Sequence, residues 1–359
     1  MLTRRSVIRG LFSIAVSGGF LALSLRGTDI KAVASQVLRA DLRGVFGYFA
    51  LLLVIHLVRT VRWGLLLQPL GKVSFLRLNT ATAVGYMLLV LLPLRLGELA
   101  RPLLISRPQR GSGPVLPRRG ALASCVVERI IDGLAIGALG IIALRALGDH
   151  AAGPAAEFAQ RAVWLVSGGF AALCGIVVAV TFFRERAVGL VRRVLERFSV
   201  RLAGGVGRML DTFIGGLGVG SGPRLALVLL LTGLHWALHA VGFMWVASSF
   251  GFALSPLQAC AVLATQVVGV MVPAGPGMVG TSQFFAQLGL SIFVSGTFEV
   301  ASVAARAAAF ANTIWFLQIF QQVALGLAFL IGGGVSLSKV IGRAAPVSAS
   351  SDELAGQRI

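Results

Sequence analysis

Residues 225–298 read LALVLLLTGLHWALHAVGFMWVASSFGFALSPLQACAVLATQVVGVMVPAGPGMVGTSQFFAQLGLSIFVSGTF, and none of them is Asp, Glu, Lys or Arg. A helix crosses the hydrocarbon core of a bilayer with roughly 20 residues, at about 1.5 Å each. The stretch is therefore long enough for more than one crossing, and residues 307–338 form a second charge-free run. Working outward, 57% of the 359 residues are hydrophobic and only 13% are charged, with a mean hydropathy of +0.88. Soluble domains carry roughly 25% charged residues. A transmembrane β-barrel would show short alternating segments, which continuous apolar runs exclude. The expected class is all-α: a polytopic helical membrane bundle of about seven spans with two re-entrant or broken-helix hairpins.

The formal charge of +19 does not point to nucleic acid, because the basic residues cluster between apolar segments as the positive-inside rule requires and form no basic face interleaved with aromatics. Cys125, Cys174 and Cys260 all fall inside apolar segments without CxxC spacing, and read as packing residues. No cofactor is expected. At the amino terminus, Arg4, Arg5 and Arg9 precede an apolar run over residues 11–25. That pattern is shared by twin-arginine signals and by first spans with a cytoplasmic start; no small-x-small pair follows it, and we read an uncleaved first span. Residues 28–44 suit an amphipathic helix on the outer surface.

Spans are expected at residues 45–67, 121–144, 163–183, 225–250 and 307–330, with both termini cytoplasmic in an inner (plasma) membrane. Residues 1–343 would form one membrane domain and residues 344–359 a disordered tail. Residues 184–208, with seven arginines, read as a cytoplasmic surface helix, either a solvated positive flank or a binder of anionic lipid.

Two segments break this pattern. Residues 79–92 are apolar but short, and stop at Pro93-Leu94-Arg95-Leu96-Gly97-Glu98, with Arg101-Pro102 just beyond; basic residues flank the segment on both sides, which implies a hairpin opening to the inside. Residues 257–298 are too long for one span and break at Pro273-Ala274-Gly275-Pro276-Gly277, which implies two half-helices entering from outside. Irregular backbone at membrane depth is tolerated only when buried in protein or lining water. Interrupted segments in corresponding halves are the pattern of transporters with inverted repeats.

Arg95, Glu98, Arg101, Glu128, Arg129 and Asp132 all lie in or beside apolar segments. Each charge at the bilayer centre costs about 2.5–3.5 kcal/mol on insertion scales, so six unpaired ones would cost on the order of 15–20 kcal/mol. They must be paired, wet, or both. Spacings of three predict the pairs Arg95–Glu98, Glu98–Arg101 and Arg129–Asp132, with hairpin arginines separating Glu128 from Asp132. These six charges cancel, and Arg59 and Arg62 on the neighbouring span bring the local total to +2. Two readings stay open: a self-neutralising clamp, and a cavity in which arginine forks onto an anionic headgroup. At the second break, Gly275, Gly277 and Gly280 supply backbone freedom while Pro273 and Pro276 stop helices; the element is either an anion site at a helix start or a tight packed turn. His235 and His239 have metal-ligand spacing without an evident third ligand, and read as packing histidines.

Four motifs together resemble the lysylphosphatidylglycerol synthase transmembrane family, also called flippase-like: Arg59-Thr60-Val61-Arg62-Trp63; Pro93 with Arg95, Gly97, Glu98 and Arg101; Glu128-Arg129-Ile130-Ile131-Asp132; and Pro273 to Gly280. They occur in the family's order over about residues 10–335. The resemblance implies a helical bundle with re-entrant segments. It also implies movement of a lipid between leaflets, which in the best-known members is an aminoacylated phospholipid made by a separate soluble domain. No such domain follows the last span in this sequence, and Thr281-Ser282-Gln283 stands where many members have Glu after the Pro/Gly element. The expected function is therefore a non-enzymatic, flippase-like transporter of an anionic or aminoacylated phospholipid or of a polyprenyl-linked lipid. Its partners would be the lipid headgroup and possibly a separate lipid-modifying enzyme. The alternative is a non-transporting scaffold or accessory subunit of an envelope-lipid or glycan pathway. An intramembrane enzyme is disfavoured, since no HExxH, GxSxG or aspartate-rich metal motif occurs.

Overall fold

The computed structural model describes residues 15–25, 29–92, 97–106, 116–148, 154–182, 222–272, 275–295 and 297–332. Arg95, Pro273, the basic stretch at 184–208 and the tail at 344–359 lie outside the described residues, so the expectations placed on them have no structural account.

The described chain is helical throughout. It begins with α1 (Ala15–Ser24) and α2 (Ile30–Arg39), followed by α3 (Leu42–Leu67). Next come α4 (Phe75–Leu91), α5 (Ala100–Ile105), α6 (Arg118–Leu147) and α7 (Pro154–Phe182). The rest is α8 (Gly222–Ser249), α9 (Pro256–Val270), α10 (Thr281–Ser291) and α11 (Ala301–Gly332). Asp29 and Asp41 cap α2 and α3, their carboxylates accepting from the amides of Lys31 and Arg43, and a Ser255/Gln258 capping box with Pro256 at the first turn starts α9. The expected amphipathic segment is α2, a helix with no buried residue that leaves Ile30 and Leu38 exposed.

Among the described residues, four helices are long and apolar enough to cross a membrane: Leu42–Leu70, Arg118–Leu147, Gly222–Ser249 and Ala301–Gly332, and less than half of the most apolar window of each is buried. Leu230 and Ile331 are among the large apolar side chains left exposed, which suits a surface solvated by lipid rather than water. The chain is a multi-pass membrane protein.

Small residues set the close approaches between helices, since in lipid the association comes from packing more than from the hydrophobic effect. Gly44 and Gly47 of α3 lie against Trp245 of α8, and Gly242 of α8 lies against the Tyr48 ring. Gly133 and Gly137 of α6 meet Phe170 and Ser167 of α7, Gly140 meets Ala264 of α9, and Gly326 of α11 meets Met87 of α4.

Both predicted breaks are helical hairpins. After α4 the chain turns back through a 3-10 turn at residues 97–99. A Cβ on Gly97 would strike the backbone of Leu88 and Leu89, and Arg101 lies on Gly85. Further along, Arg77 donates to the carbonyl of Ile105 at 2.6 Å. These contacts zip α4 antiparallel to the 97–105 return. The second hairpin pairs α9 with α10 across a 3-10 turn at Pro276–Met278. Gly269 packs on Phe285, Gly289 packs on Val262, and Gln266 donates to Ser282 at 2.9 Å. At about 1.5 Å per residue, 15 residues of α9 and 11 of α10 are each too short to span a bilayer.

Candidate functional site

Arg62 extends from α3 to α6, where Glu128 and Asp132 sit four residues apart on one helix face. Its Nη1 and Nη2 donate to the two Asp132 oxygens at 2.6 and 2.9 Å; Nη2 also donates to Glu128 Oε1 at 3.0 Å, and Nη1 to Thr232 Oγ1 of α8 at 3.1 Å. Arg101 of α5 takes the other Glu128 oxygen at 2.8 Å, and the same Nη1 donates to the Tyr86 hydroxyl at 3.1 Å. Its guanidinium lies 4.2 Å from the centre of the Trp63 ring, and Trp63 is fixed by donating to Ser124 at 3.1 Å. Arg62, Arg101 and Glu128 are 1%, 3% and 1% exposed. Five elements, α3, α4, α5, α6 and α8, are tied together through one buried carboxylate pair.

This wiring differs from the sequence-predicted pairs. Asp132 is held by Arg62, not Arg129. Glu98 is 3.7 Å from Arg129 Nε, with both side chains about one-third exposed, and Arg101 serves Glu128 instead of Glu98. The group separating Glu128 from Asp132 comes from the long span α3, not from the hairpin. The physical reason is geometry: spacing of three predicts contact only within one continuous helix, and Glu98 belongs to the turn before α5 begins. On α6, a fork entering from outside satisfies both carboxylates at once, which a neighbour on the same helix cannot do.

Among the described residues, four arginines (Arg59, Arg62, Arg101, Arg129) face three carboxylates (Glu98, Glu128, Asp132). Arg59 is the one left over. It has no carboxylate partner among the described residues, and its guanidinium lies 4.1 Å from the centre of the Tyr86 ring, a cation–π contact. Arg59, Glu98, Arg129 and Asp132 line a cavity of about 390 Å³. Both hairpins contribute to its wall: Tyr86, Leu89 and Glu98 from the first, Gln266, Gly277 and Ser282 from the second. A second cavity, of about 270 Å³, shares Tyr86, Leu89, Glu98 and Arg129 with the first and also touches Arg101 and Cys125. The Glu98–Arg129 pair therefore stands on the wall common to both.

The Pro/Gly element at the second break is a packed turn. Gly277 and Gly280 have φ of 69° and 83°, conformations that glycine adopts without strain. The Gly275 amide donates to Ser17 of α1 at 2.7 Å, the Gly280 amide to Gln283 at 2.8 Å, and Trp315 of α11 donates to the Gly277 carbonyl at 2.7 Å. Pro276 starts the 3-10 turn. With these amides satisfied, the element positions α10 and reaches the cavity through Gly277 and Met278.

Sequence reasoning passed over much of the cavity wall. Tyr86, His56, Gln266, Gln318, Gln321 and Gln322 all line it. His56 donates to Asn79 at 2.7 Å. His239 lies 3.1 Å from the Tyr48 hydroxyl, which also accepts from Gln318 at 2.9 Å. His235 and His239 pack edge to face, centroids 4.9 Å apart. One signal was available: Asn312, Gln318, Gln321 and Gln322 interrupt a helix otherwise free of hydrogen-bonding amides, at a depth where a polar group needs a reason.

The model of the lysylphosphatidylglycerol synthase TM region family matches residues 10–333, and the chain belongs to that family. Searches of curated proteins and of solved structures each returned no match.

Proposed function

We propose that this member of the lysylphosphatidylglycerol synthase transmembrane family moves a lipid with an anionic headgroup between the leaflets of an inner (plasma) membrane, with both termini cytoplasmic. The observation that carries the reading is the 390 Å³ cavity, lined by both hairpins and by Arg59, which has no carboxylate partner among the described residues. A charge in a membrane protein's interior that is not needed for neutralisation calls for a functional account, and an arginine fork suits phosphate oxygens. Arg59 and Arg129 hold the headgroup. Arg62, Arg101, Glu128 and Asp132 keep α3, α5 and α6 in register around it. The two hairpins, of which the second is built from helices too short to span, are re-entrant and admit the headgroup from opposite leaflets. The protein does this without chemistry on the lipid, whose modification falls to a separate enzyme.

The test is scrambling of a labelled lipid panel in proteoliposomes, wild type beside Arg59→Ala. Movement of an anionic lipid that disappears in the variant supports the reading. No movement of any lipid by folded protein sinks it and favours a scaffold for an envelope-lipid enzyme, a role supported by the buried clamp. Turnover of a lipid phosphate by the pure protein would instead reveal an enzyme.

A further inference from the structure

The cavity that holds the charged cluster is also lined by many neutral hydrogen-bonding groups. Gln266, Gln318, Gln321 and Gln322 line it, together with His235 and Trp236. Two of these side chains carry buried nitrogens without a partner among the described residues: Nδ1 of His235, which is 2% exposed, and Nε2 of Gln321, which is 5% exposed. The indole nitrogen of Trp236 is a third. Leaving a buried polar atom unsatisfied costs about 1–3 kcal/mol, so three on one cavity wall point to a ligand that pairs with them. Each described carboxylate near the cavity is already engaged by an arginine, which disfavours a cationic ligand: Glu128 and Asp132 are held by arginines, and Glu98 faces Arg129.

Resting on the reading that the cavity admits a lipid headgroup, we propose that its ligand is a lipid-linked sugar phosphate, with phosphate on Arg59 and sugar hydroxyls on His235, Gln321 and Trp236. Sugar hydroxyls both donate and accept, which matches a wall of amides and imidazoles. The apolar C–H faces of a sugar ring suit the indole surfaces of Trp236 and Trp315, both of which line the cavity. An aminoacyl headgroup would instead place an ammonium beside the surplus arginine, with each nearby carboxylate already facing an arginine. The cavity volume lies within the usual range of small-molecule sites, about 300–1,000 Å³.

The experiment measures binding to the purified full chain in detergent of four probes: a polyprenyl phosphate bearing one hexose, the same polyprenyl phosphate without sugar, lysyl-phosphatidylglycerol, and hexose 1-phosphate. The sugar-bearing lipid should bind about tenfold more tightly than the bare one, as two or three neutral hydrogen bonds allow, and more tightly than the other two probes. Gln321→Met and His235→Phe should each narrow that gap while leaving bare polyprenyl phosphate binding unchanged, which also shows that the variants are folded; should one fail to fold, the other carries the test. Arg59→Ala should weaken both polyprenyl lipids alike. Equal binding of the two polyprenyl lipids, tighter binding of the lysyl lipid, or binding of hexose 1-phosphate as strong as that of its lipid-linked form would overturn the assignment. Sugar-selective binding without movement in proteoliposomes sinks transport and leaves the headgroup standing; movement of a lipid without sugar preference does the reverse.

Discussion

The two hairpins have the same outline and opposite chemistry. The first is anchored by ions: Arg101 binds Glu128, and Glu98 faces Arg129. The second has no charge between residues 225 and 298 and is anchored by neutral contacts, among them Gln266 to Ser282 at 2.9 Å, Gln287 to Ser24 at 2.6 Å, and Phe20 of α1 against Phe284 and Phe285. Breaking a buried ion pair by removing one partner costs about 3–5 kcal/mol, whereas removing one partner of a buried neutral hydrogen bond costs about 1–3 kcal/mol. The first hairpin should therefore fail abruptly under single substitutions and the second gradually.

The sharpest way to break that contrast is Glu128→Gln. It leaves Arg62 with Asp132 alone and takes from the buried Arg101 the carboxylate it binds, and breaking a buried pair costs about 3–5 kcal/mol. We expect a large fall in the thermal midpoint of the detergent-solubilised protein, or loss of yield. A midpoint near wild type would show that water, not the carboxylate, stabilises the arginines. On the other side, Gly280→Ala is the most damaging small change in the second hairpin. Gly280 holds φ at 83°, and a Cβ there would collide with the Ser17 carbonyl and the Leu21 amide of α1, for about 1–3 kcal/mol of strain. The same measurement should show a smaller drop than for Glu128→Gln. Of comparable size, Gln266→Leu leaves the buried Ser282 hydroxyl without its donor and should cost about 1–3 kcal/mol; a loss as large as that of Glu128→Gln would end the distinction between the hairpins.

The sequence showed which segments are apolar and where they break, because length and Pro/Gly placement act locally. Glu128 and Asp132 were also visible as charges that cannot stand alone in lipid, and Arg62 as part of a local positive surplus. Their wiring was not, because within-helix spacing is silent about a side chain arriving from another helix. Arg62 and Asp132 are 70 positions apart, and only the packing of α3 against α6 makes them partners. The neutral cavity wall escaped for a different reason. Gln318, Gln321 and Gln322 sit in a helix whose hydropathy, averaged over its length, still reads as a span, so averaging concealed a polar face. Arg59 looked equivalent to Arg62 three positions on, yet one is buried against carboxylates and the other lines the cavity.

The smallest expected effect on stability belongs to Glu98→Gln. The Glu98–Arg129 pair is 3.7 Å apart and about one-third exposed on each side, and pairs of that kind contribute about 0–1 kcal/mol. The substitution keeps the shape of the side chain and removes its charge, so the thermal midpoint should stay close to that of wild type. Its position gives it a different weight in function. Glu98 and Arg129 lie on the wall shared by the two cavities, where a passing anionic headgroup would have to exchange with the carboxylate for the same arginine. Without the negative charge, Arg129 would hold the phosphate more firmly and release it more slowly. Tighter lipid binding together with loss of lipid movement in proteoliposomes is the expected signature. Unchanged transport would remove the pair from the pathway, and a fall in stability as large as that of Glu128→Gln would place it with the clamp.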